Sequence, residues 1–192
     1  GIVMCLANAG VAVQWVDNNP QMLEQAIASV AETYAHSVRQ GRIDQAEAQS
    51  RMARVTAAAD YAAIRDVDLV IEAVYENLEL KQEIFRELDG LLKPEAILAS
   101  NTSALDIDAI ATVTRRPAQV LGLHFFSPAH IMKLLEIVRG AQTSPAALDA
   151  ALALGQRMGK VSVVSGNCHG FIGNRMLHPY VLEARKMLIE GA

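Results

Sequence analysis

The feature that most limits how this chain folds is a series of short, near-continuous apolar runs set between longer amphipathic stretches. Val11–Val16, Asp68–Val74, Ile97–Ser100, Val120–Leu123, Leu134–Val138 and Val161–Val164 are each of strand length. Such runs mark strands, and Val11–Val16 and Asp68–Val74 in particular read as strands buried on both faces of a largely parallel sheet. The intervening segments read as helices. Ile2, Cys5, Leu6 and Ala9 form an amphipathic stripe that Gly10 stops. Asn18-Asn19-Pro20 opens a second helix, since Asn is a good N-cap and Pro is tolerated in the first turn. Residues 20–53 are mostly helical with a break near Gly41, a helical hairpin inserted between strands. Val55–Ala57 is a short strand before a helical turn at Tyr61–Ile64. Leu78–Leu92, Leu105–Ala111, Pro145–Met158 and Gly170–Glu190 complete the set. Strands alternating with helices at this spacing predict a doubly wound α/β fold with right-handed crossovers.

Gly166–Gly170 is the best boundary, because the alternating pattern gives way there to one long helical stretch. This divides the chain into an α/β domain over 1–166 and, over 167–192, the first helix of an all-α domain. The chain opens at Gly1 already in a helical pattern, so the first strand of the sheet and its glycine loop are expected to be missing. Hydrophobic residues make up 52% and charged residues 20% of 192, enough apolar surface for a sizeable core. The net charge of −4 offers no field for nucleic acid or an anionic membrane. No apolar run approaches the roughly 20 residues that span a bilayer. Cys5 and Cys168 lie far apart, and no His has metal-ligand spacing, so neither a disulfide framework nor a metal site is expected.

In such sheets ligands bind at the carboxyl ends of the strands. Asp17 stands at one, where an acid accepts hydrogen bonds from ribose hydroxyls and repels a 2′-phosphate. Asn18 and Asn19 follow it, with no Arg to welcome that phosphate, which favours NAD over NADP. The fingerprint G-x-G-x-x-G is absent. Glu76-Asn77 follows another strand, with Lys81 one turn further on and able to reach a phosphate or ribose. All of these residues could instead simply cap and solvate their helices.

Two constellations suggest chemistry. His124 follows a buried strand and precedes two aromatics and a proline turn, in Leu-His-Phe-Phe-Ser-Pro. Glu136 interrupts the apolar run Leu134-Leu135-Glu136-Ile137-Val138. An unpaired buried carboxylate is costly, so Glu136 needs a partner. Lys133 and Arg139 point to the opposite face of an ideal strand. His124 is then the obvious partner, and a carboxylate holding one ring nitrogen leaves the other as a general base.

Ser100-Asn101-Thr102-Ser103, Gly122-Leu-His-Phe-Phe-Ser-Pro128, Met132-Lys-Leu-Leu-Glu136 and Gly170-Phe-Ile-Gly-Asn-Arg175, in this order, resemble the 3-hydroxyacyl-CoA dehydrogenases over essentially the whole chain. Ser127-Pro128 and the Gly166–Gly170 stretch look most like the multifunctional β-oxidation enzymes. The resemblance implies a Rossmann-type domain with NAD as cofactor and 3-hydroxyacyl-CoA and 3-oxoacyl-CoA as substrate and product. His124 would take the 3-hydroxyl proton, Glu136 would orient His124, and Ser103 and Asn174 would hold the reacting oxygen. Asp17, Glu76, Lys81, Asn101 and Ser127 fall at cofactor-side positions, although stand-alone members more often have Asn where Ser127 stands. The resemblance also implies a homodimeric or multienzyme parent, cytoplasmic in a bacterial setting or in an organelle matrix. A non-catalytic, crystallin-like member of the same superfamily is the alternative. Intact Ser103, His124, Glu136 and Asn174 argue against it.

Overall fold

The apolar runs become seven strands in the computed structural model, which describes residues 1–191. β1 (Val13–Trp15) pairs in parallel with β2 (Val55–Ala57) as a two-stranded sheet. β3 (Leu69–Glu72), β4 (Ile97–Ser100), β5 (Val120–Phe125), β6 (Leu134–Arg139) and β7 (Val161–Gly166) form a five-stranded sheet in that order. Every neighbouring pair is parallel except β5 and β6. The expected doubly wound, mostly parallel α/β architecture is therefore present.

Alternation along the strands distributes side chains to two cores, as the pleat requires. Leu98, Val120 and Val138 join Phe85, Leu88, Ile107, Ile110 and Phe171 on one face. Their sequence neighbours Ala99, Leu121 and Ile137 join Leu135, Ala147 and Ala151 on the other. Helices α4 (Leu78–Leu91) and α5 (Ile107–Ala111) cover the first face, and α1 (Ile2–Asn8) and α6 (Pro145–Arg157) the second. The inserted hairpin is α2 (Pro20–Arg39) and α3 (Gln45–Met52), with Gly41 at φ +67° in the turn between them. This is a left-handed conformation that glycine adopts without strain. Asn19 caps α2, accepting from the amides of Gln21 and Met22. Met4, Val30, Tyr34 and Ala48 form a smaller third core around α1 and the hairpin.

Three details differ from what the sequence predicts. β1 is not buried on both faces: Gln14 is exposed and Val13 and Trp15 are only partly buried. It spans only three residues and, among the described residues, has only β2 beside it. β1 and β3 each keep one unpaired edge among the described residues. His124 lies within β5 rather than past its end, because the antiparallel ladder with β6 carries the strand on to Phe125. The last helix, α7 (Gly173–Glu190), starts three residues later than expected and has no buried residue. Ala192, the last residue of the expected second segment, lies outside the described residues.

Candidate active site

The antiparallel register sets His124 directly opposite Glu136, and side chains of such cross-strand pairs project to the same face of the sheet. The imidazole Nδ1 lies 2.7 Å from Glu136 Oε2, with the two residues 6% and 1% exposed. Arg139 is exposed, so the partner of Glu136 is the histidine rather than a neighbouring cation. The other carboxylate oxygen, Oε1, accepts from the amides of Ile172 at 2.9 Å and Gly173 at 2.8 Å. Both amides belong to the start of α7, where backbone donors lack intrahelical partners. An ionised carboxylate only accepts, so beside one a neutral imidazole would place its proton on Nδ1 and its lone pair on Nε2. Among the described residues Nε2 has no protein partner, and it is not one of the fully occluded polar atoms. Phe126 and Phe171 flank the ring at centroid distances of 4.5 and 5.7 Å. Phe171 adopts φ +48°, a conformation uncommon outside glycine, at the turn just before α7.

A second carboxylate organises the loop after β4. Glu76 Oε1 accepts from Thr102 Oγ1 at 2.6 Å, Ser103 N at 2.8 Å, Ser103 Oγ at 3.1 Å and Ala104 N at 3.2 Å. Burial pulls the Glu76 carboxyl upward, but these bonds and the nearby Lys81 charge outweigh it and hold the group below the usual carboxylate range. Asn101 Oδ1 accepts from Phe125 N at 2.9 Å, tying the same loop to the end of β5. Asn174 Nδ2 donates to Ser103 O at 3.4 Å, bringing α7 to the loop. Ser103, Glu76, Asn101 and Asn174 are thus joined in one cluster. Asn77 is the N-cap of α4, the simpler of the two roles open to it.

Lys81, expected on the cofactor side, lies at the base of the loop after β3. It is fully buried, with Nζ 2.7 Å from Glu72 Oε1 and 3.7 Å from Glu76 Oε2. α4 packs this turn against the sheet, so the ammonium points inward. Sequence reasoning misses Glu72, although it interrupts an apolar run just as Glu136 does. It misses Ser100, Thr102 and the two α7 amides as well. Their roles depend on which loops meet, which no local pattern records.

Asp17 stands exposed at the end of β1, where one oxygen accepts from Asn19 N at 2.9 Å. Burial and the charges of Glu87, Glu72 and Asp17 push the Tyr61 phenol upward, so the ends of β1 and β3 lie within electrostatic reach of one group. An exposed acid followed by two asparagines, with the open loop at residues 73–77 after β3, fits a ribose-bearing cofactor. Ser127 is exposed in the loop after β5. Among the described residues no cluster of side chains could hold a metal ion, and no helix is long and apolar enough to cross a membrane.

Comparison with known proteins shows the family of the chain. The family model for the 3-hydroxyacyl-CoA dehydrogenase NAD binding domain matches residues 1–168. The peroxisomal bifunctional enzyme of Danio rerio is 47% identical over 199 residues, covering 100% of this chain and 26% of that protein. Its Homo sapiens counterpart is 43% identical over 195 residues with the same coverage. The chain therefore spans about a quarter of the length of these curated relatives, at 26%. Their peroxisomal names give no support to the cytoplasmic placement expected from the sequence. Among solved structures, 3-hydroxybutyryl-CoA dehydrogenase from Escherichia coli K12 superposes with a TM-score of 0.96 at 34% identity, covering 98% of this chain and 40% of that one. The dehydrogenase part of multifunctional enzyme 1 from C. elegans superposes at 0.79 with 32% identity, covering 97% and 43%. With the family model matched over nearly the whole chain, the protein belongs to the 3-hydroxyacyl-CoA dehydrogenase family and carries its NAD-binding domain.

Proposed function

We propose that this chain provides the hydride-transfer site for NAD-dependent oxidation of L-3-hydroxyacyl-CoA to 3-oxoacyl-CoA in fatty-acid β-oxidation. The observation that carries the reading is the buried His124–Glu136 pair, with Nδ1 engaged and Nε2 left to act. Nε2 takes the proton of the substrate 3-hydroxyl as the C3–H bond gives up its hydride. Glu136 fixes the tautomer and balances the imidazolium charge that forms. Ser103 and Asn174 hold the reacting oxygen, which restricts the bound alcohol to a reactive orientation. When bound, NAD supplies the hydride acceptor. Asp17 would hold its ribose, with Asn101 and Ser127 on the cofactor side. The order in which these residues line the strand ends supports that assignment.

Residues 167–192 are proposed as the opening of a second, helical unit, since α7 leaves its apolar side chains uncovered. A homodimer or multienzyme complex would bury that surface. The relatives' names favour an organelle matrix over the cytoplasm. Because among the described residues β1 and β3 each have a free edge beside the cofactor region, this chain taken alone should bind NAD weakly. Tight binding in a titration would remove that part of the reading. The central test is acetoacetyl-CoA-dependent oxidation of NADH by the protein. Replacing His124 with Ala should lower kcat by about 10²–10⁴-fold, the usual worth of a positioned general acid–base. An unchanged rate would sink the assignment.

A further inference from the structure

Both aromatic rings beside the His124 imidazole depend on the first turn of α7. Phe171, 1% exposed, lies 5.7 Å from it between centroids, and Phe126 lies 4.5 Å away, tilted by 47°. Gly170 at φ +71° and Phe171 at φ +48° are consecutive left-handed residues that turn the chain into the helix. A residue with a side chain is held in that region only by its surroundings. The turn sets the Phe171 ring in the core with Ile107, Ile110 and Val138. It also brings the amides of Ile172 and Gly173 to Glu136 Oε1.

Phe126 has no covalent tie to α7 and meets it at Gly173. A Cβ at residue 173 would stand 2.7 Å from Phe126 Cζ, closer than carbon atoms approach one another. It would stand 3.7 Å from Glu136 Oε1, an ordinary contact. A side chain there would therefore disturb the ring and spare the carboxylate. Residue 173 is the first of an 18-residue helix, and Ala is a better helix former than Gly. Helix formation gives no reason for glycine at this position, whereas the close approach of the ring does.

The bond to Glu136 fixes one atom of the imidazole, and the direction of Nε2 then depends on what packs against the ring. Tilted aromatic contacts favour particular orientations. We propose that Gly173 and Phe126 are positioning residues for His124. The bare Cα of Gly173 seats the Phe126 ring against the imidazole, so the first turn of α7 sets the direction of Nε2 as well as binding Glu136. This rests on the reading that His124 is the general base.

The cycle of Gly173→Ala, Phe126→Leu and the double variant tests it. The readouts are turnover of acetoacetyl-CoA with NADH and the NMR shifts of the His124 ring protons. Gly173→Ala should lower kcat about tenfold with KM for NADH within about twofold of wild type, the split expected of lost reaction-centre positioning. Leucine lacks the outer ring atoms that meet residue 173. In the Phe126→Leu background, Gly173→Ala should therefore change kcat by less than about twofold. The His124 ring protons should likewise move on Gly173→Ala only when Phe126 is present. Equal falls in kcat in both backgrounds would overturn the inference, as would an unchanged kcat in Gly173→Ala. If Gly173→Ala alone fails to fold, recovery of folding in the double variant supports the contact, and no recovery overturns it. Failure of the wild-type protein to turn over a 3-oxoacyl-CoA, with the ring-proton shifts as expected, would instead remove the functional reading and leave the packing of Phe126 standing.

Discussion

Glu136 and Glu76 both use a carboxylate to gather backbone amides from a distant segment, but they sit in different parts of the molecule. Glu136 lies mid-strand in the five-stranded sheet, covered on both faces, and divides its oxygens between His124 and the start of α7. Glu76 lies in the loop between β3 and α4, its side chain 39% exposed, and spends one oxygen on the residues that follow β4. Asp17, at the end of β1 in the smaller sheet, is also exposed and has a single local bond. The same chemical group thus ranges from core member to clasp to exposed acceptor. Water reaches Glu76 and Asp17 but not Glu136, and that access sets how much each bond is worth.

This ordering can be broken by substitution. Removing Glu136 should cost most, because Glu136→Ala strands His124 Nδ1 and two amides in a dry site. Chemical denaturation should show a loss of about 3–5 kcal/mol, as for other broken buried pairs. Glu76→Ala should cost about 1–2 kcal/mol, since water can replace part of what is lost at a half-exposed group. Equal losses at the two sites would end the distinction between core member and clasp.

Acid should separate them in another way. The Glu76 carboxyl is held below its ordinary range, so its contribution is fully present above the unfolded-state value and is lost as pH falls through the lower folded value. Exchange at Ser103 and Ala104 should therefore stay slow through the range where an ordinary glutamate protonates, and quicken only at more acidic pH. Quickening at the ordinary carboxylate value would show that the clasp does not stabilise the charged form. Asp17→Asn should have the smallest effect on folding, within about 0.5 kcal/mol, as for most exposed sites. It should nevertheless weaken NAD binding about tenfold, the worth of one charge-assisted hydrogen bond. A large loss of stability there would mean that Asp17 serves the turn before α2 rather than a ligand.

Glu136 is legible in the sequence because an acid inside an apolar run demands a partner, and the strand period removes its basic neighbours from consideration. The same signal is present at Glu72, in Leu69-Val70-Ile71-Glu72. There the apolar pattern resumes at Ala73-Val74 and hides the fact that the strand ends on the acid. Lys81 is ambiguous in the sequence for a related reason. One helical turn beyond Asn77, it has the spacing of a side chain reaching a ligand, and the same spacing also turns it inward. Which of the two holds depends on how α4 packs on the sheet. The placement of His124 past a strand end fails similarly, because the antiparallel ladder of β5 and β6 lengthens both strands beyond their apolar runs.

The amino-acid sequence by itself determined the alternation of strands and helices, the cap at the start of α2, and the pairing of Glu136 with His124. These follow from local periodicity and from the cost of burying unpaired charge, and neither requires a partner segment to be known. Only the tertiary structure decided that Glu136 also holds the start of α7, that Glu76 clasps the loop after β4, and that Lys81 faces the core. Each of these is a contact between segments far apart in sequence, and the packing of whole elements decides which donors a given carboxylate meets.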